Sequence, residues 1–475
     1  MQEIRNYLLF ARLRGRGINV NKMSQKSVFR AYDIRGLSPG ELDSAFAERL
    51  GRVIVNHFKC KNVMIGRDMR MNSPELEGAL TRGITASGAN VTSIGMCSTP
   101  MFNISMGLAK GKYDFGVMVT ASHNPSQYNG FKMTNGDVYP IGEGSGMEEI
   151  RDAFVSKKKF ADAPLSGAVR EDTGALKAYL DHIMSFVDVR KFGKMKIAVD
   201  AGNGMNGYVM QEFARRLPQI QILPLYWEPD GRFPNHEANP LNIETLHDLR
   251  ELVKKKKCDF GVAFDGDGDR VGFVDELGEP IDGSFLTAIF AQALLKDHPG
   301  SLILHDLRSS WSTAEEIKRA GGKSEMTRVG HAFIKRQIRE HNGLFGGEVS
   351  MHFYFGDLWG VESGDLCLLL MLKLLTGEKK KLSQIWKPMK RYAYSGEINS
   401  EVKDKDEVLK RIDKTYTKQA SSIVTIDGVR MEFTDQWWFS VRASNTEPLM
   451  RLIVEATTTE LMEQKRDELL AIIRQ

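Results

Sequence analysis

Three times along the chain a short apolar run ends at a polar turn, passes into a helical pattern and returns as a second apolar run. The first copy is Val63–Asp68 (VMIGRD), a helical pattern through Glu75, Leu76, Ala79 and Ile84, then VTSIG. The second is Lys196–Gly204 (KIAVDAGNG), a helical run through Val209, Phe213 and Leu217, then IQILPLYW. The third is Leu302–Ser310 (LILHDLRSS), a helix over Ser312–Ala320, then KSEMTRVG. A buried strand, a turn headed by Asp, an amphipathic helix and another strand is the βαβ grammar of a mostly parallel sheet. Repetition at this long spacing predicts duplicated α/β domains rather than a solenoid.

Downstream of each copy a strand ends in a distinctive loop: DFGVMVTASHNP, CDFGVAFDGDGDR and GLFGGEVSMH, the first two sharing Asp-Phe-Gly-Val. Open α/β sheets bind ligands beyond their strand ends, so three related domains would present three different loops there. The last quarter departs from this plan. EINSEV, IVTIDGVRMEF, WWFSVRAS and MRLIVEA alternate like antiparallel strands, and helical runs near Asp406–Tyr416 and Glu460–Ile473 complete an α+β cap. A basic stretch, Glu378–Lys381, reads as a linker before it. The expected division is an extension over 1–22, α/β domains over 23–168, 169–279 and 280–391, and the α+β domain over 392–475.

Composition narrows the classes. The 475 residues are 42% hydrophobic and 27% charged with a net charge of +4, the balance of a globular protein with no general pull toward nucleic acid or a membrane surface. Cys60, Cys97, Cys258 and Cys367 are scattered without metal-finger spacing, which fits a reducing cytoplasm. The best apolar run, Leu366–Leu375, is too short to span a bilayer and contains Lys373. The first twenty-two residues are basic (Arg5, Arg12, Arg14, Arg16) and read as a loose extension, with an amphipathic targeting peptide left open.

Four loops carry chemistry. Ser122 follows the β-branched run Val117–Val119 at a tip with His123, Asn124 and Pro125, which is how α/β enzymes expose a nucleophile. A serine hydroxyl is weak unless activated or already loaded, and the residues alone leave open that Ser122 merely caps a loop. Asp265, Asp267 and Asp269 alternate with glycine before Arg270, so three carboxylates can converge on a hard divalent cation, with Mg²⁺ the best fit. An EF-hand is excluded by Arg270 at the position that needs glycine and by strand-like flanks, while a solvated acidic turn stays open. Arg442, Ser444, Asn445 and Thr446 form a donor cluster of the kind that cradles a phosphate dianion, or else a capped helix start. Glu348, Ser350 and His352 at the third strand end could grip vicinal sugar hydroxyls, a weak signal alone.

VFRAYDIRG, TASHNPSQYNGFK, DGDGDR, GEVSMH and RASNTEP, in that order, resemble the α-D-phosphohexomutase superfamily, most closely its bacterial phosphomannomutase/phosphoglucomutase branch. The resemblance runs from about Ser27 to the end. It implies four domains around a central cleft, the last TBP-like, and a monomer or weak homo-oligomer. By it Ser122 would be a phosphoserine, and Asp265, Asp267 and Asp269 would hold Mg²⁺ together with one of its oxygens. A phosphoserine brings about −1.5 to −2 charges, which Arg270, Lys132, His123 and Arg35 would offset. Lys132 and Arg35 match positions implicated in acid/base work, and His331 matches a further active-site histidine. Tyr32 and Arg308 would line the cleft, with His123 also at the substrate. Glu348 and Ser350 would bind the 3- and 4-hydroxyls with His352 nearby, and Arg442, Ser444, Asn445 and Thr446 the phosphate that is not reacting.

The implied reaction interconverts hexose 1- and 6-phosphates of mannose, glucose or both through a hexose 1,6-bisphosphate, which also serves as activator. Met351 stands where relatives often have glycine, and its bulk would narrow sugar choice. Phosphoglucosamine mutase ranks lower, because Val349 and Met351 replace the Gln and Gly usual in that branch. A sugar-phosphate-binding protein without catalysis is disfavoured by the joint presence of Ser122, Lys132 and all three aspartates.

Overall fold

The computed structural model describes residues 27–156, 158–434, 436–443 and 449–475, so the extension over 1–22 and Ser444, Asn445 and Thr446 lie outside the described residues. The first sheet runs, in spatial order, Ile34–Leu37, Tyr128–Asn135, Phe115–Val119, Asn62–Arg67, Asn90–Met96 and Val169–Glu171. Its last four strands are parallel, and the first two add to them antiparallel. In the second sheet Phe260–Phe264, Met195–Asp200 and Ile220–Leu225 are parallel, with Val271–Asp275 and Pro280–Ile281 antiparallel at the other edge. The third repeats this: Lys323–Thr327, Leu302–Asp306 and Phe345–Gly347 are parallel, then Phe353–Phe355 and Val361–Glu362 reverse.

One plan therefore recurs three times. The chain completes a parallel βαβ core, turns sharply and adds an antiparallel strand. Each of the three chemistry-bearing loops is that turn: 120–127, 265–270 and 348–352. The strands leading into them, Phe115–Val119, Phe260–Phe264 and Phe345–Gly347, are buried at every position. This is why they read as continuous apolar runs rather than alternating ones.

Small polar residues set the helix starts. Ser98 Oγ accepts from Met101 N at 3.2 Å and Ser363 Oγ from Leu366 N at 3.1 Å, each taking up a backbone donor that the helix cannot use. The second of these opens Gly364–Gly377, whose leucines Leu366, Leu368, Leu369, Leu370 and Leu372 are buried. At roughly 1.5–3 kcal/mol per buried leucine, this helix is a central beam of the molecule. Its cluster runs without a break from Phe102 and Met118 through Phe260 to Phe290. Among the described residues no helix is long and apolar enough to cross a membrane.

In the stretch expected to be a linker, Glu378 takes Lys296 Nζ at 2.8 Å and Lys381 Nζ reaches Asp259 Oδ1 at 3.3 Å. Just after it the chain is fastened to the second domain: Ser383 Oγ donates to Glu276 Oε1 at 2.5 Å, and Trp386 Nε1 donates to Asp275 Oδ2 at 3.0 Å. In the last domain IVTIDGVRMEF forms two strands, Ser422–Val424 and Val429–Phe433, because Asp427-Gly428 turns the chain with Gly428 at φ 71°. These strands join an antiparallel sheet with its own core. Buried Arg430 fastens that domain to the third, lying 3.6 Å over Trp438 and donating to the carbonyls of Leu307 at 2.6 Å and Ser309 at 3.0 Å.

Candidate active site

Strand Phe115–Val119 delivers Ser122 into the left-handed region, at φ 51°, which costs a residue with a β-carbon on the order of 1–2 kcal/mol. Thr120 Oγ1 accepts from Ser122 N at 2.9 Å and steadies the turn. Ser122 is buried, and its Oγ donates to Asp265 Oδ2 at 2.8 Å with His123 Nδ1 3.1 Å away. Arg35, paired with Asp33, reaches over the same loop and donates to Asn124 Oδ1 at 2.7 Å.

The acidic loop meets this serine from the second domain. Asp265 Oδ1 accepts from Gly268 N at 3.0 Å and Arg270 N at 3.1 Å, which ties the turn to its first carboxylate. Asp267 Oδ2 accepts from Thr99 Oγ1 at 2.6 Å and from Lys132 Nζ at 2.7 Å, and Lys132 also bonds Asp269. The three aspartates each offer an oxygen within 4.8 Å of the others. Asp267 Oδ1 and Asp269 Oδ1 are buried without a hydrogen-bond donor, although His352 Nε2 stands 3.4 Å from the latter. Three carboxylates held this close and left with unused oxygens fit a divalent metal ion.

The third loop docks on the second through the backbone. Val271 N donates to Met351 O at 3.1 Å, and Arg270 forms an isolated β-bridge with His352. Glu348 is buried; its Oε1 accepts from Gly330 N at 2.9 Å and its Oε2 from Tyr354 OH at 2.6 Å. Ser350 Oγ lies 3.1 Å from His352 Nδ1. Met351, at φ 66°, turns its sulfur toward Gly272, where an added β-carbon would meet it at 3.0 Å. Its bulk is thus taken up by the interior, and the expected narrowing of sugar choice loses its steric basis.

Tyr32 and His331 meet edge to face at 5.3 Å, and the close approach of Tyr32 to Gly330 leaves no room for a β-carbon there. Arg308 is gripped by Asp306 at 2.7 Å, whose Oδ2 also accepts from Val349 N at 2.9 Å. Glu397 then links Arg308, at 3.6 Å, to Arg442, at 3.4 Å, and Asp427 holds the other arm of Arg442 at 3.3 Å. One chain of ion pairs carries the last domain's arginine to the loop that holds Glu348 and Ser350. Ser122, His123, Lys132, the three aspartates and His352 lie in one network of contacts that Glu348 and Ser350 join through His352, whereas Arg308 and Arg442 form a separate chain of ion pairs beside it. Thr99 and Arg70 were missed, since each acts through an oxygen on a loop distant in sequence, as was Thr120, which besides steadying Ser122 N donates to Asp267 Oδ2 at 3.3 Å.

The histidines differ in their surroundings. Burial, then Arg270 and Arg35, push His123 well below the ordinary histidine value while Ser122 carries no phosphate. His331 is likewise pushed down by burial and by Lys335 and Lys132, and its Nδ1 has no partner. Burial pushes His352 down too, but Asp269 and Glu348 outweigh it and raise it to about 9. With that ring charged, the 3.3 Å approach of Arg270 Nε to His352 Nε2 is a like-charge contact, and the carboxylates hold the ring. Lys132 is raised because Asp267 and Asp269 overcome its burial. Asp265 is pushed well above the carboxylate range by burial and by the charges of Asp269 and Asp267.

Comparison with known proteins agrees with this architecture. The phosphoglucomutase/phosphomannomutase alpha/beta/alpha domains I, II and III match residues 26–160, 177–278 and 282–392, and that family's C-terminal domain matches 397–472. A protein of Xanthomonas campestris described as "Phosphohexose mutases" is 38% identical over 94% of this chain and 99% of its own length. A phosphomannomutase of Escherichia coli is 36% identical over 95% of this chain and 100% of its own. The crystal structure of a phosphoglucomutase/phosphomannomutase family protein from Burkholderia thailandensis superimposes with a TM-score of 0.84 at 29% identity, covering 94% of this chain and 97% of that one. Three repeated α/β domains, a separate α+β domain and matches along nearly the whole length lead to one assignment: the chain belongs to the phosphoglucomutase/phosphomannomutase family.

Proposed function

We propose that this chain is a phosphohexomutase that interconverts the 1- and 6-phosphates of mannose, glucose or both through a phosphorylated Ser122. The observation that carries this reading is the 2.8 Å hydrogen bond from Ser122 Oγ to Asp265, which sets the hydroxyl beside three converging carboxylates. In the first transfer a sugar hydroxyl attacks phosphorus; the new P–O bond forms as the P–Oγ bond breaks. The hydroxyl proton goes to a base and Ser122 Oγ leaves with a proton returned to it. The hexose 1,6-bisphosphate then turns over, and Ser122 Oγ takes back the other phosphoryl group by the reverse bond changes. No water and no net phosphate are consumed.

Each residue has a role that follows from its charge state. Lys132, kept protonated by Asp267 and Asp269, is the acid for the leaving oxygen. His331, neutral and with an unpartnered Nδ1, suits the base for the attacking hydroxyl. Arg35, which reaches the serine loop at Asn124, and Arg270, which follows the triad, would steady the transferring oxygens, with His123 beside the serine hydroxyl. Mg²⁺, held by Asp265, Asp267, Asp269 and a phosphoserine oxygen, would supply Lewis-acid neutralisation of charge on the leaving oxygen.

Glu348, held ionised well below its ordinary value once His352 and Arg308 outweigh its burial, can accept from two sugar hydroxyls, with Ser350 and His352 beside it. Gripping the 3- and 4-hydroxyls while ignoring the 2-position would admit both mannose and glucose. Arg442, with Ser444, Asn445 and Thr446, would hold the idle phosphate, and Tyr32 and Arg308 the walls of the cleft. Four free, buried cysteines suit a cytoplasmic enzyme.

The test is turnover of mannose, glucose and glucosamine 1-phosphates side by side. Activity on the first two that vanishes in Ser122→Ala is expected. Undiminished activity in that variant, or preference for the amino sugar, would contradict this reading.

A further inference from the structure

Outside the residues already given a role, one buried cation has both of its terminal amino groups committed to the carbonyls of residues 122–128. Arg70 is 1% exposed. Its Nη1 donates to the carbonyls of Pro125 at 2.8 Å and Tyr128 at 2.9 Å, and its Nη2 to those of Ser122 at 2.8 Å and Asn124 at 2.5 Å. The remaining Nε faces Asp68 Oδ2 at 3.2 Å. A planar fork with donors along two edges can span four carbonyls at once, which the single ammonium of lysine cannot.

The other side of this arrangement belongs to the second domain. The Phe233 ring lies 5.1 Å from the guanidinium carbon. A β-carbon at Gly231 would come within 2.5 Å of Arg70 Cα, and one at Gly266 within 2.5 Å of Ser122 O. The Ser122 carbonyl oxygen is therefore clasped between Arg70 Nη2 and the first glycine of the acidic loop. Asp68 anchors the clasp in turn, accepting from Arg70 N at 3.0 Å and from Ser73 Oγ at 2.6 Å at the start of helix Ser73–Ala86.

We propose that Arg70 is a positioning residue for phosphoryl transfer: by gathering the loop carbonyls it holds Ser122 in its left-handed conformation and at a set distance from Asp265. This rests on the reading of Ser122 as the phosphoryl carrier. Arg70 touches neither the sugar nor the phosphoryl group, so its loss displaces the nucleophile without removing a binding contact. A misplacement of about 1 Å at a reacting atom costs on the order of a hundredfold in rate.

The experiment uses the full chain with Mg²⁺ and glucose 1,6-bisphosphate, comparing wild type with Arg70→Lys, Arg70→Ala and Phe233→Leu for folding, kcat, KM and phosphoserine content. The expected result is folded Arg70 variants with kcat lowered on the order of a hundredfold and KM within about twofold of wild type. Added guanidinium ion should restore part of the activity of Arg70→Ala and none of Arg70→Lys. Where the Arg70 variants do not fold, Phe233→Leu decides: a fall in kcat of about threefold or more at constant KM supports the proposal, and an unchanged kcat overturns it. Folded Arg70 variants with undiminished kcat, or with loss confined to KM, overturn it while a loaded, active wild type leaves the mutase reading intact. A wild type that takes no phosphoryl group on Ser122 overturns both.

Discussion

Ser122 Oγ and Asp265 Oδ2 lie 2.8 Å apart although 143 positions separate them in the chain. The hydroxyl comes from the turn after one sheet and the carboxylate from the equivalent turn after the next. Duplicated domains have thus placed a nucleophile and a metal-ligand set at corresponding points of two copies, facing each other across a shared core.

A divalent cation should stabilise the protein by relieving repulsion within the triad. At a Mg²⁺ concentration of about 100 times its Kd the gain is about 3 kcal/mol, enough to raise the thermal midpoint by several degrees. Asp265→Asn makes permanently neutral the carboxyl whose charge burial and the other two aspartates most disfavour, so without metal it should unfold no earlier than wild type, and Mg²⁺ should add little to it. Calorimetry of both proteins with and without Mg²⁺ checks this; equal metal-dependent gains would count against the triad as the site.

Lys132 neutralises the same carboxylates that would hold the cation. Lys132→Met should therefore bind Mg²⁺ more tightly than wild type while turning over on the order of 10²–10⁴-fold more slowly. A Mg²⁺ titration beside steady-state kinetics reads both effects, and weaker metal binding would show that the pairing is not competitive.

Glu348→Gln should lower kcat/KM by about 2–3 kcal/mol, tens- to a hundredfold, for mannose and glucose phosphates alike. These sugars differ only at carbon 2, which Glu348 is not expected to contact. Parallel kinetics check this; a shift of the mannose-to-glucose ratio comparable with the loss itself would place Glu348 elsewhere on the sugar.

His305 makes a pH dependence that is independent of catalysis. Burial, and then Arg430, push it down to about 4 in the folded protein, against about 6.5 when unfolded. The unfolded chain binds this proton first, so the stability is full above pH 6.5, is lost as pH falls from there to about 4, and changes no further below that. Over that window wild type should lose about 2–3 kcal/mol more than His305→Gln in urea unfolding. Parallel losses would show that the ring is solvated.

The repeated domains were legible because strands buried on both faces leave unbroken apolar runs, and because their turns concentrate Ser122, the aspartates and Glu348 where the runs stop. What holds those turns was not legible. Thr99 reaches Asp267 across 168 positions and Arg70 reaches the Ser122 carbonyl across 52; the first pair is set by packing between domains and the second by the pairing of two strands distant in sequence. Nor could residue type tell that His123 is pushed down and His352 up, since burial beside arginines decides one and carboxylates outweighing burial the other. Met351 looked like a determinant of sugar choice until its backbone, at φ 66°, turned the side chain inward.

Ser122 as the carrier is tested most directly by loading the protein from radiolabelled glucose 1,6-bisphosphate in Mg²⁺, freeing it of excess sugar and then mixing it with an excess of unlabelled hexose 1-phosphate. The expected result is one phosphoryl group per chain by intact mass, absent from Ser122→Ala, whose label passes into the hexose phosphates while the serine is reloaded with unlabelled phosphate. A label that stays on the serine during turnover, or an active wild type that never acquires one, would contradict the account.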